Sequence, residues 1–343
     1  MGSFFIFALY EIDVVLNVYF DSNPTFMHKN IVFLINKSEI TAGTRGASLG
    51  PEALITAARK NESAIFIEHE IQMMKDVNHL LDLPTKYKFA KRIDGLITIY
   101  NEIRNKVSTL LNNNNFPIIL AADHGSAGGT IAGLKAVYSD KRLGVLWIDA
   151  HADIHTPFTT PTGNMHGMPL AAALGIDNME CKVNEVCQET VMLWNELKKV
   201  GNISPKVLSE DVVYIAVRDT ESQEDCVLNE LGIRNYSVAE VREKGVHTII
   251  DEINLKLSQC DVIYVSFDVD SMDPELTSYG TGTPVKNGLS PQEADQILIS
   301  MAKNPKTVCI EVVEVNPCLD DKKNRMAEVA LSLIQSIVKT LKH

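Results

Sequence analysis

The sequence predicts an α/β fold in three layers, a mostly parallel central sheet with helices on both faces. Three observations predict it. Short apolar runs at residues 31–35, 117–122, 143–148, 212–217, 262–267 and 308–313 read as strands buried on both faces. Segments with helical periodicity separate them. Nearly every run delivers a polar cluster at its end: Asp123-His124, Asp149 through Asp153, Arg218-Asp219, Asp268-Val269-Asp270 and Glu314. Ligands of parallel sheets gather at the carboxyl ends of the strands, so these clusters predict a single site there.

The 343 residues, 45% of them hydrophobic, suffice for one large domain or two ordinary ones. No low-complexity linker and no repeat beyond the strand–helix alternation divides them, which predicts one domain over residues 27–343. Residues 1–26 read as an extension, with Met27 a candidate functional start. Within the extension the apolar stretch Phe4–Tyr10 is broken by Glu11 and Asp13 before a membrane-spanning length, and no basic segment precedes it. Ile6 stands where a myristoylation signal wants Ser or Thr. No membrane partner is expected. A net charge of -12 excludes a general nucleic-acid binder, which needs clustered Lys and Arg. Six cysteines without a CxxC pair suggest reduced thiols in a cytoplasmic protein.

Taken in order, the first strand candidate is followed by residues 41–51, whose three glycines mark a shaped loop, and Pro51 suits the first turn of a helix to about Lys60. The loop lacks the GxxxxGK[ST] spacing of a phosphate cradle. Residues 85–112 carry an approximate helical stripe through Phe89, Ile93, Ile97, Ile103 and Val107. Further helices are expected at 128–137, 185–199, 237–244, 248–258, 291–302 and 324–342. An elaborated loop occupies 154–166, and an insertion lies near 176–209.

The chemistry starts from Asp149-Ala150-His151-Ala152-Asp153. Alternation along an extended backbone places its two carboxylates and its imidazole on one side. Uncompensated carboxylates in an apolar setting cost several kcal/mol, and a divalent cation is the usual remedy. The competing reading is a solvated acidic turn. With His124, Asp268 and Asp270 the candidate ligands number six, too many for one tetrahedral zinc and suited to two bridged ions. Mixed N/O donors favour a hard or borderline ion such as Mn²⁺. A rival reading of Asp268-Val269-Asp270 as a phosphotransferase nucleophile expects Thr or Val where Met272 stands, and it leaves the histidines idle.

Asp123-His124, Asp149 through Asp153, Ser266-Phe267-Asp268-Val269-Asp270-Ser271-Met272-Asp273-Pro274 and Glu314-Val315-Asn316-Pro317 together resemble the signature segments of the ureohydrolase (arginase and agmatinase) superfamily. The resemblance spans about residues 38–340 and is closest to arginase. It implies the arginase-deacetylase fold, two Mn²⁺ per subunit, and a trimer or hexamer of identical subunits. It also implies hydrolysis of a small guanidino substrate, L-arginine to L-ornithine and urea, by a metal-bridging hydroxide. One ion would take His124, Asp149, Asp153 and Asp268, and its neighbour His151, Asp149, Asp268 and Asp270. His166 would be the proton shuttle, and Glu314 would orient the guanidinium; with Asp153 they make up the expected catalytic residues. Thr160 and Thr162 would hold the substrate α-carboxylate, and Glu221 would face its α-amino group. His155 stands where animal-type arginases carry an Asn that contacts the α-carboxylate. The alternatives are agmatinase or another guanidino-acid hydrolase, or a non-catalytic family member.

Overall fold

A computed structural model describes residues 30–342. The expected extension and the start at Met27 lie outside the described residues. Eight strands form one sheet in the order β2-β1-β3-β8-β7-β4-β5-β6, and every pairing in it is parallel. The strands are β1 (Asn30–Asn36), β2 (Glu70–Met73), β3 (Asn115–Ala121), β4 (Leu143–Ile148), β5 (Val212–Ile215), β6 (Arg234–Tyr236), β7 (Val262–Asp268) and β8 (Thr307–Val313). The helices are α1 (Gly50–Lys60), α2 (Ile65–Glu68), α3 (Ile93–Asn112), α4 (Ala127–Val137), α5 (Pro169–Leu174), α6 (Gln188–Lys198), α7 (Ser222–Leu231), α8 (Val238–Lys244), α9 (Val246–Lys256), α10 (Pro291–Lys303) and α11 (Arg325–Leu341).

The sheet separates two cores. One holds Leu146, Ile148, Val265 and Phe267 against α1, α8, α9, α10 and α11. The other holds Val145, Trp147, Tyr214 and Tyr264 against α3, α4, α5 and α6. Alternate residues of a strand thus belong to opposite layers, as the period of two requires. This parity places Asp149 and Asp268, which continue the Val145-Trp147 and Tyr264-Ser266 series, on the α3–α4 side of the sheet. The chain leaves β3 for β4 across a gap that β7 and β8 later fill. The carboxyl ends of these four central strands therefore surround one crevice.

The long apolar runs form strands where expected. The helix expected from residue 85 starts only at Ile93. Arg92 has a left-handed φ of 57°, Lys91 N–H donates to the Gly163 carbonyl at 2.8 Å, and Phe89 stays out of the buried stripe. A contact with the distant 154–166 loop thus unwinds the first turns. Five elements, α2, α5, α7, β2 and β6, have no counterpart among the expected ones. Strand β2 (Glu-Ile-Gln-Met) is a short edge strand, and β6 (Arg-Asn-Tyr) is another, too polar to read as an apolar run. Helix α7 buries only Glu224 and Val227, and its signal is instead the capping box of Glu221 and Glu224.

The six cysteines are not all reduced, as the absence of a CxxC pair had suggested. Cys181 and Cys226 form a disulfide that ties the segment before α6 to α7, while Cys187, Cys260, Cys309 and Cys318 are free. The two partners are 45 positions apart, so local spacing could not reveal them.

Helices α3 and α4 approach closely because α4 carries glycines. A Cβ on Gly129 would lie 2.9 Å from the Tyr100 Cα and 3.2 Å from the Ile103 Cβ. Gly129→Val should therefore destabilise the protein by about 1–3 kcal/mol through overpacking, more than valine's helix propensity recovers. The check is the urea midpoint of unfolding, and a midpoint at or above wild type would contradict the packing argument.

Candidate metal centre

Strand β3 ends at Ala121, and Asp123 then turns the chain into the single 3-10 turn His124–Ser126. The Asp123 carboxylate accepts the Thr41 N–H at 2.9 Å, fastening the 41–51 loop to the site, and burial, helped by Glu314, pushes its pKa up to about 7. His124 stacks on Trp147 with ring centroids 4.0 Å apart and planes 9° from parallel. The Trp147 Nε1–H donates to Asp149 Oδ2 at 2.9 Å. One indole thus supports the imidazole with its face and the carboxylate with its edge.

The 149–153 segment does not continue the strand. The chain bends through Asp149–His151, and Asp153 takes a left-handed φ of 50°. The expected one-sided extended array is therefore replaced by a folded loop. Its convergence comes from local hydrogen bonds, His151 N–H to Asp149 Oδ1 at 2.7 Å and Ala150 N–H to Asp270 Oδ1 at 3.2 Å. After β7, Asp268 Oδ1 accepts the Asp270 N–H at 2.8 Å, which opens a 3-10 turn and aims both aspartates at the crevice.

Two groups result. His124 Nδ1 lies 3.0 Å from Asp149 Oδ2, 3.1 Å from Asp153 Oδ2 and 3.3 Å from Asp268 Oδ2. His151 Nδ1 lies 3.1 Å from Asp270 Oδ2 and 3.5 Å from Asp149 Oδ1. Asp149 touches both imidazoles through different oxygens. Burial opposes its ionisation, but His124 and His151 outweigh burial and hold its carboxyl well below the usual range. Burial and the neighbouring Asp149 charge push Asp153 up to about 6. Asp268 is raised well above the ordinary range, by burial and then by Asp270. This pattern is that of negative charge lacking a counter-cation.

The residues fit a metal. His124 Nδ1 is buried, faces three carboxylate oxygens, and makes no hydrogen bond, while its Nε2 lies 2.7 Å from Ser266 Oγ. A lone pair so directed, among oxygens that cannot all receive one proton, suits a hard or borderline divalent ion. His124, Asp149 and Asp153, and likewise Asp149, His151 and Asp270, each bring three donor atoms within 4.8 Å of one another.

The centre lies in a cleft of about 260 Å³. Glu314, at a left-handed φ of 66°, accepts the His124 backbone N–H at 3.0 Å and meets His166 Nδ1 at 3.3 Å through the same oxygen. Burial lowers the His166 pKa, but the Glu314 bond outweighs it and the net shift is upward. Toward the mouth, His155 Nε2 lies 3.0 Å from Glu221 Oε2 and 3.7 Å from Glu224 Oε2, with Nδ1 3.1 Å from Thr159 Oγ1. The His155 bond holds Glu221 down at about 2, and burial, then Glu221, raise Glu224 well above the carboxylate range. Thr160 Oγ1 accepts the Gly163 N–H at 3.0 Å and Thr162 Oγ1 the Asn164 N–H at 3.1 Å, and both threonines line the cleft.

The sequence model of the arginase family matches residues 29–339. The chain belongs to the arginase family. It is 32% identical over 315 residues to the arginase of Brevibacillus brevis, an alignment covering 91% of this chain and 98% of that one. Among solved structures, the arginase of Bacillus cereus superposes with a TM-score of 0.74 at 32% identity, covering 90% of this chain and 98% of the other. The arginase of Entamoeba histolytica in complex with L-ornithine gives 0.75 at 26% identity, covering 91% and 99%. Membership of the arginase family makes the chain a metal-dependent ureohydrolase.

Every sequence-derived candidate of this arginase-family chain falls in or beside the one cleft. His124, Asp149, His151, Asp153, Asp268 and Asp270 cluster at its floor, Glu314 and His166 beside them, and His155, Thr160, Thr162 and Glu221 toward the mouth. Three contributors escaped the sequence reading. Trp147 looked like one more apolar strand residue. Thr283, whose hydroxyl donates to Asp270 Oδ2 at 3.1 Å, sits in an unpatterned loop. Glu224 was legible only as the partner of Glu221 in the helix cap. Arg218 is a brace, donating to the carbonyls of Asp270 at 2.9 Å and Ala216 at 2.9 Å.

Mn²⁺ at about 100 times its Kd should add about 2.7 kcal/mol of stability to metal-free wild type, visible as a higher Tm. Asp149→Asn should lose that rise. An equal rise in both proteins would place the ion elsewhere.

Proposed function

We propose that this protein hydrolyses L-arginine to L-ornithine and urea with two Mn²⁺ ions per subunit. The observation that carries the reading is the division of the cleft. One end offers the acidic centre with Glu314 and His166, and the other offers an imidazole, two carboxylates and two threonine hydroxyls. A guanidinium suits the first end and an amino-acid head group the second. The L-ornithine bound to the Entamoeba histolytica arginase supports the choice of substrate.

His124, Asp149, Asp153 and Asp268 would hold one ion and His151, Asp149, Asp268 and Asp270 the other. When bound, such ions supply Lewis-acid activation of water near neutral pH. The remaining chemistry belongs to the chain. Glu314 Oε1 is held by His124 N–H and His166, which leaves Oε2 as the edge that receives a planar N–H of the guanidinium. Hydrolysis breaks the carbon–nitrogen bond to the side-chain nitrogen of arginine, and the departing amine requires a proton. His166, its pKa raised by Glu314, carries that proton at the floor of the cleft. Glu221 and Glu224 face the substrate ammonium, and His155, Thr160 and Thr162 its carboxylate, so the head group sets the distance of the guanidinium from the centre.

No described helix is long and apolar enough to cross a membrane. Four free thiols support the cytoplasmic setting expected from the sequence, whereas the Cys181–Cys226 bridge is of a kind rare in that compartment. The trimeric or hexameric assembly rests on the family resemblance.

Urea release from L-arginine, agmatine and 4-guanidinobutyrate, measured side by side with formamide release from formiminoglutamate, tests the assignment. L-arginine should exceed the others in kcat/KM by at least about 100-fold, because a mouth built for polar groups penalises analogues that leave them unpaired. Turnover of agmatine without turnover of L-arginine would overturn it.

A further inference from the structure

The parity that aims Asp268 at the crevice also places Tyr264 and Ser266 on the same side of β7. Across the β7–β8 pairing, Ser266 is opposite Glu311. All three side chains are fully buried. Tyr264 Oη lies 2.6 Å from Glu311 Oε2 and 3.3 Å from Ser266 Oγ, and Ser266 Oγ lies 2.7 Å from His124 Nε2. A continuous polar line therefore runs from a buried carboxylate, through two hydroxyls, to the imidazole whose other nitrogen faces Asp149, Asp153 and Asp268. The other oxygen, Glu311 Oε1, receives the Ser126 hydroxyl at 3.4 Å, so hydroxyls meet this carboxylate on both sides. Burying that carboxylate carries a desolvation cost that an apolar side chain in the middle of β8 would avoid.

We propose that Glu311, Tyr264 and Ser266 are positioning residues that set the tautomer of His124 and thereby its affinity for metal. The inference rests on the metal-binding reading above. The direction of the line follows from its fixed end. Burial raises the Glu311 pKa, and the bonded hydroxyls of Tyr264, Thr130 and Ser126 oppose that rise; as a carboxylate Glu311 only accepts, so Tyr264 gives its single proton to Glu311, at 2.6 Å. With that proton committed to the shorter contact, Tyr264 does not give it to Ser266 across the 3.3 Å contact, and its oxygen is left to accept the Ser266 proton there. Ser266 Oγ, its own proton committed, accepts from His124 Nε2–H. His124 is left with an unprotonated Nδ1 directed at the three aspartates, the form that can bind a cation. Were the line reversed, the proton would sit on Nδ1 and block that position.

The test is calorimetric titration of Mn²⁺ into metal-stripped wild type, Tyr264→Phe, Glu311→Gln and the double variant, with the melting temperature of each metal-free protein as the control for folding. Tyr264→Phe removes one oxygen from the line and keeps the ring, so it carries the test even if Glu311→Gln does not fold. Each single variant should bind Mn²⁺ at least about tenfold more weakly. The double variant should lose little beyond the larger single effect, because both break one line. Unchanged Mn²⁺ affinity in Tyr264→Phe beside a wild type that binds would overturn the inference, even if its metal-free melting temperature fell, since packing alone would then explain the residues. A wild type that binds no Mn²⁺ would overturn it together with the metal reading.

Discussion

Asp149 reaching both His124 and His151, within a group that also contains Asp153, Asp268 and Asp270, is the constraint on which the rest of the structure depends. Bringing four carboxylates so close in a buried setting is unfavourable unless positive charge compensates them. The sheet bears this cost by making each acid depend on a neighbour from another strand. Asp149 follows β4, yet its N–H is held by the Ile215 carbonyl of β5 at 3.1 Å and its Oδ2 by Trp147. Asp270 follows β7 and binds the Ala150 N–H beyond β4. No single loop could place these groups. Four parallel strands ending at one level can.

The loops turn that level into a cleft with two chemically different ends. The segment after Asp153 stays on the site throughout: His155 N–H donates to the Gly167 carbonyl at 2.9 Å, and the Thr41 carbonyl receives His166 N–H at 3.4 Å. The loop is thereby closed on itself and on the 41–51 segment. Helix α7 enters from the far side, its cap supplying Glu221 and Glu224. The Cys181–Cys226 bridge fastens that helix one turn beyond the cap.

Much of this was legible in the sequence, for identifiable reasons. Strands buried on both faces have to be apolar along their length, so β1, β3, β4, β5, β7 and β8 announced themselves. Polar residues at the ends of such runs have few structural alternatives, so His124, the 149–153 group, Asp268, Asp270 and Glu314 stood out. What was not legible depended on contacts between distant segments. The start of α3 is set by Gly163, the partner of Cys181 lies in another helix, and the convergence of Asp149 and Asp153 comes from a folded loop rather than an extended one. Glu311 was concealed differently, inside a run whose average is apolar. Its meaning lay in the one inward-facing polar position.

The most direct measurement of the central claim is anomalous diffraction at the manganese edge from crystals of the protein loaded with Mn²⁺. Two adjacent peaks are expected, one among His124, Asp149, Asp153 and Asp268 and the other among His151, Asp149, Asp268 and Asp270. A single peak, or peaks away from Asp149, would contradict a centre shared through Asp149.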